Sequence, residues 1–210
     1  MSHPDGEPCP SRDDPRLVTT ADEPEDPMSR IPLRHPRTPL VRLAQWYSRR
    51  AYGEVLDPAL AALHNRRVLA TALLTEGSVR RWRSLNPTEQ ALAVMASASS
   101  IGCTWCMDFG YWESSRRGVD LAKLRDVPTW RNSSVYSPLE RLVMEYAEAM
   151  TATPPSVSDE LVEQLRARLS DEQLVELTAL VALENQRSRV NAALGLTSQG
   201  FKEHCELATP

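Results

Sequence analysis

The chain has 210 residues and a mass of 23.5 kDa, enough for one substantial hydrophobic core or two small domains. It carries 24 Lys and Arg against 28 Asp and Glu, a formal charge of −4, and 41% of its residues are apolar, the make-up of a globular protein. Its arginines are scattered among acids and its only lysines, Lys123 and Lys202, lie far apart, so no basic patch for nucleic acid is legible. No window approaches the roughly 18 uninterrupted apolar residues of a membrane span. The opening MSHPDGEPCP lacks both a basic and an apolar leader region, which predicts a cytoplasmic protein.

Residues 1–37 hold eight of the 16 prolines and eight acids but few large apolar residues. Such a segment cannot offset its ordering entropy, and it reads as a disordered tail, with Ile31 to Thr38 able to dock on the folded body or on a neighbouring subunit. Cys9 within it reads as an incidental thiol. From Thr38 onward the punctuation is helical. Thr38-Pro39 and Asp57-Pro58 place a capping side chain before proline. Asn86-Pro87-Thr88-Glu89 and Ser137-Pro138-Leu139-Glu140 add an acid at the third helical position. Ser158 and Ser170 are further caps. These signals predict helices near 39–51, 58–75, 87–100, 104–117, 138–151, 159–168 and 171–194. The segment 125–136 reads as an ordered loop. No alternating run is long enough for a strand, so the fold class is all-α, with 38–200 as one domain and 201–210 as a C-terminal tail.

Cys103-Thr104-Trp105-Cys106 is the informative feature. It opens the predicted helix 104–117, where unpaired N–H groups and the helix dipole favour a thiolate. Two intervening residues let the sulfurs close a disulfide. Three readings stand for the pair: a redox dithiol, two inert buried thiols, or half of a zinc site completed by His204 and Cys205. Asp108, Tyr111 and Glu113 follow on the same helix. Asp108 points away from Cys106, and Glu113 shares its face two turns on. Trp105, Phe109 and Trp112 either wall an apolar pocket or pack as core. No histidine lies between His64 and His204, so a catalytic thiol here lacks the usual base.

The helix 171–194 begins apolar and turns polar at Glu184-Asn185-Gln186-Arg187-Ser188-Arg189 and Asn191. Asn185 and Arg189 share a face. The expectation is that Arg189 anchors Asp108 or Glu113 in a buried pair, the alternative being ordinary surface partners.

In order, Leu85-Asn86-Pro87-Thr88-Glu89-Gln90, Ile101-Gly102-Cys103-Thr104-Trp105-Cys106 and the stretch from Asn185 to Leu196 resemble the carboxymuconolactone decarboxylase-like, or AhpD-like, superfamily. The resemblance covers about 85–196 and implies an AhpD-like helical bundle with the CxxC pair at a helix N-terminus. It also implies a thiol-dependent peroxidase or disulfide oxidoreductase, in which Cys106 attacks the peroxide and Cys103 resolves it. The substrate would be an organic peroxide or a protein disulfide, with an unidentified thiol as reductant. No cofactor and no metal are implied. The family's proton relay, a glutamate and two histidines, falls on Ala91, Trp105 and Gly110. Proton movement would then lean on water and Glu113, with Asp108, Tyr111, Trp105, Asn185 and Arg189 as supporting residues. The family assembles as dimers, trimers or hexamers, so a homo-oligomer is expected. The alternative is a non-catalytic helical scaffold in which the cysteines are structural.

Overall fold

The computed structural model describes residues 29–36 and 38–206. Most of the expected tail 1–37, with Cys9, therefore lies outside the described residues. Ten α-helices and one 3-10 turn make up the described fold, with no strand among the described residues, and the chain divides into two compact units. Within the span expected as one domain, 38–200, one boundary between the two units falls at Arg83.

In the first unit, α1 (Pro39–Tyr52), α2 (Asp57–Ala62) and α3 (Arg66–Val79) follow one another. Thr38 caps α1 by accepting the Val41 N–H at 3.2 Å. The single helix expected over 58–75 is broken after Ala62, because Asn65 accepts the Arg67 and Val68 N–H groups and starts α3 afresh. Asp57 does not cap α2; it is the first helical residue and Leu56 stands at the cap without a side-chain bond. Ile31 and Leu33 pack with Leu60, Ala61, Leu194 and Leu196, so the segment before α1 does dock. Two histidines fasten it: His35 Nε2 donates to the Leu60 carbonyl and His64 Nε2 to the Pro32 carbonyl, each at 2.7 Å.

The second unit runs from Arg83 to Ala192 and resumes at Ser198. It holds α4 (Pro87–Ile101), α5 (Thr104–Arg116), α6 (Leu121–Asp126), α7 (Pro138–Thr151), α8 (Asp159–Arg166), most of α9 (Asp171–Leu194) and α10 (Phe201–Glu206). The caps read from sequence hold here. Asn86 accepts the Glu89 N–H, Ser137 and Glu140 form a reciprocal capping box, and Ser170 pairs likewise with Gln173. The expected loop 125–136 contains α6's last turn and a 3-10 turn over Val127–Asn132. Leu92 and Met95 of α4, Val143 and Met144 of α7, and Leu177 and Val181 of α9 are fully buried. Glu176 ties α9 to the entry of α4: its carboxylate accepts Ser84 N–H (2.8 Å), Leu85 N–H (3.2 Å) and Gln90 Nε2 (2.7 Å). The expected C-terminal tail begins instead as α10, whose Phe201 is buried against α5.

Candidate active site

Gly102 ends α4 in the left-handed region (φ 79°), which a side chain rarely adopts, and this sharp exit starts α5 one residue later. Cys103 is the N-cap of α5, and its Sγ accepts the Cys106 N–H at 3.2 Å. One of the orphan donors of the helix is therefore spent on sulfur. Cys103 and Cys106 form a disulfide with their Cα atoms 5.3 Å apart. Both residues are buried, at 2% and 6% exposure. From α9, Asn191 donates through Nδ2 to Cys106 Sγ at 3.4 Å. A cavity of about 410 Å³ opens beside the pair, with Cys103, Thr104, Met95, Tyr111, Arg125 and Lys202 in its wall. Cys106 is not part of that wall.

Asp108 also borders the cavity, but its carboxylate is committed to structure. It accepts Gln199 N–H (2.9 Å), Phe201 N–H (3.1 Å) and Lys202 N–H (2.6 Å), so it caps the start of α10. Trp105 reinforces the same junction through Nε1 to Gln199 Oε1 at 2.8 Å. The Trp105 and Phe109 rings stack at 4.9 Å, and Phe201 meets Phe109 edge-on at 5.4 Å. The aromatic stripe of α5 is thus packing for α10; neither Trp105, Phe109 nor Trp112 lines the cavity. Tyr111 is buried in the cavity wall, with Lys202 Nζ 5.2 Å from its ring centre.

Glu113 is exposed on α5 and outside the cavity wall, so the structure does not bring it to the sulfurs. Arg189 does not reach Asp108 or Glu113 in a buried pair, as its place in α9 had suggested. It is exposed and donates to the Thr151 carbonyl (3.2 Å) and Thr153 Oγ1 (3.4 Å). Asn185 joins it there, donating to Thr151 Oγ1 at 2.8 Å. The pair fastens α9 to the end of α7. Asn191 is the residue whose contact with the sulfur the sequence did not assign; its signals were its place in the polar end of α9 and in the stretch Asn185 to Leu196 that carries the family resemblance.

The positions onto which the resemblance places a relay carry no acid or base. Ala91 is buried in α4, Trp105 is bonded to Gln199, and a Cβ on Gly110 would already sit 3.4 Å from Met95 Cγ. Glu89, the nearest carboxylate in sequence to the first position, is buried at the start of α4 and lies outside the cavity wall. Burial pushes its carboxyl above the ordinary value of 4.5, against the hydrogen bonds of Asn86, and the Glu140 charge adds to the rise. Burial pushes Glu140 the same way, but Lys123 Nζ at 2.5 Å and the Ser137 N–H outweigh it and hold that carboxyl low. Among the described residues no group of three or more His, Cys, Asp and Glu side chains is arranged to hold a metal. Cys205 is buried 3.8 Å from Ser115 Oγ. No helix of the described residues is long and apolar enough to cross a membrane.

A CxxC disulfide at a helix N-terminus, inside an all-helical unit and next to a cavity, is the arrangement of an AhpD-like protein. The carboxymuconolactone decarboxylase family profile matches residues 67–149, and the chain belongs to that family. The chain is 36% identical over 176 residues to the uncharacterized protein YnjA of Escherichia coli (strain K12), spanning 83% of this chain and 93% of that protein. It also shares the fold of an alkylhydroperoxidase AhpD core, an uncharacterized peroxidase-related protein from Ralstonia eutropha. That match has a TM-score of 0.71 at 17% identity over 84% of this chain and 95% of the other. A variant of the debrominase Bmp8 in complex with 2,3,4-tribromopyrrole matches with a TM-score of 0.72 at 18% identity, over 85% and 98%.

Proposed function

We propose that the protein is a dithiol oxidoreductase that reduces organic hydroperoxides through Cys103 and Cys106, drawing electrons from an external dithiol. The observation that carries this reading is the Cys103–Cys106 disulfide at the N-terminus of α5, with Cys103 in the wall of the cavity. Following the family resemblance, the Cys106 thiolate attacks the terminal peroxide oxygen. The O–O bond breaks, the alkoxide takes a proton from water to leave as alcohol, and Cys106 becomes a sulfenic acid. Cys103 then attacks that sulfur, hydroxide departs and is protonated to water, and the disulfide forms. The dithiol returns two electrons and two protons. Disulfide exchange with another protein would use the same pair.

With no base at the relay positions, turnover lacks the ~10²–10⁴ that a positioned acid–base group supplies. The rate should rise with pH through a single thiol ionisation and then level off. A bell-shaped profile, with a second essential group, would contradict the absence of a relay. The deciding assay is consumption of cumene hydroperoxide by the reduced protein with dithiothreitol present. Cys106→Ser should abolish turnover, Cys103→Ser should keep only what dithiothreitol sustains by reducing the Cys106 sulfenic acid directly, and undiminished consumption by the double variant would overturn the reading.

A further inference from the structure

The bond from Asn191 Nδ2 to Cys106 Sγ at 3.4 Å is the one polar contact that α9 makes with the disulfide among the described residues. Asn191 is itself buried, at 4% exposure, where an amide is retained only if its hydrogen bonds are made. The two sulfurs have different surroundings. Cys103 Sγ accepts a backbone N–H at the helix start, and Cys103 is a residue of the cavity wall; Cys106 is not in that wall, and its Sγ is met by a side-chain amide.

We propose that Asn191 is the donor that holds Cys106 as a thiolate when the disulfide opens, and that the dithiol reductant attacks Cys103. The inference rests on Cys103 and Cys106 being a working redox pair. An amide N–H stabilises a charged sulfur more than a neutral thiol, but it cannot take up a proton. Asn191 therefore does part of what the missing relay would do: it favours the charge and leaves proton transfer to water. In exchange, a better stabilised leaving thiolate departs faster.

The re-reduction runs in two balanced steps. A thiolate of the reductant attacks Cys103 Sγ, the Cys103–Cys106 bond breaks, and its electron pair leaves on Cys106 Sγ toward the Asn191 amide. The second thiolate of the reductant then attacks the reductant sulfur of the mixed disulfide. Cys103 leaves as a thiolate, the reductant closes as a cyclic disulfide, and its two protons are shared with the released sulfurs as the pH dictates.

The test uses the full chain, dithiothreitol as reductant and no peroxide. The pKa of each thiol is read from the pH dependence of iodoacetamide labelling, resolved by peptide mass. In Asn191→Ala, Cys106 should rise by about one unit, roughly a tenfold loss of thiolate below its pKa, while Cys103 stays put. Reduction by dithiothreitol should slow, because a leaving thiolate of higher pKa departs more slowly. Asn191→Asp, nearly the same shape with an acceptor charge, should raise Cys106 at least as far, and it serves if the alanine variant does not fold. Glutathione disulfide should label reduced Cys106→Ser at Cys103 faster than it labels Cys103→Ser at Cys106. An unchanged Cys106 pKa in a folded variant, equal movement of both thiols, or faster labelling of Cys106 would overturn the proposal. Failure of the native protein to consume peroxide would instead remove the peroxidase reading and leave these measurements to decide the role of Asn191.

Discussion

Asp108 shows how much one side chain can matter without touching the sulfurs. Its carboxylate collects the N–H groups of Gln199, Phe201 and Lys202. Asp108→Ala should cost about 1–3 kcal/mol in urea unfolding, since it orphans the buried Phe201 donor while the half-buried Gln199 and Lys202 donors can turn to water. A loss under 1 kcal/mol would mean that the junction is not stabilised through this carboxylate. Arg189→Ala, by contrast, removes bonds from an exposed guanidinium to the Thr151 and Thr153 oxygens and should cost about 1 kcal/mol at most. The difference between these two residues was not legible in sequence. Asp108 finds partners more than ninety residues away, in a segment whose composition resembles a frayed end. Arg189 follows apolar turns that suggest burial, yet it sits on the solvent side of α9. The cysteine pair was legible because its spacing is local, and Asn191 was not, because only the fold brings α9 to the sulfur.

Among elements, local chemistry decided most boundaries. Proline after a capping residue opened α1, α4 and α7 as read, and a capping box opened α9. The readings failed where a competing cap intervened, as at Asn65, or where a short helix depends on tertiary partners, as α10 does on Phe109 and Asp108. The tie between α9 and the entry of α4 gives a pH signature. Burial pushes Glu176 up, but the N–H groups of Ser84 and Leu85 and the Gln90 amide outweigh it and hold its carboxyl below 4.5. Glu140 is held low in the same sense. Carboxyls lowered on folding contribute stability that is present above the unfolded value and lost as pH falls through the folded one. Glu89, raised by burial, acts oppositely, and its contribution is lost as pH rises past its folded value. With two lowered and one raised, unfolding monitored by circular dichroism should show stability declining below about pH 4.5. A midpoint constant between pH 5 and pH 3 would contradict these hydrogen bonds. Glu176→Gln should flatten that decline.

At the scale of the whole molecule, several large apolar side chains of the first unit lie exposed. Leu43, Trp46 and Tyr47 lie exposed along one face of α1, and α3 has no buried residue, with Leu74 at 77% exposure. In α9 the apolar run from Leu174 to Leu183 is covered at Leu177, Leu180 and Val181 but leaves Val175 exposed. Surfaces of this kind are characteristic of subunit contacts, and self-association is the expected behaviour. Sedimentation velocity should show an assembly that Leu73→Glu with Leu74→Glu dissociates; a monomeric native chain would contradict it. The chemistry itself is tested most directly at the pair. The fully reduced protein is treated with one equivalent of cumene hydroperoxide, alkylated and digested with trypsin, which places Cys103 and Cys106 together in the peptide 84–116, apart from Cys9 and Cys205. The account predicts that this peptide loses two hydrogens and resists alkylation. A peptide still carrying two free thiols, with oxidation on Cys9 or Cys205 instead, would contradict it.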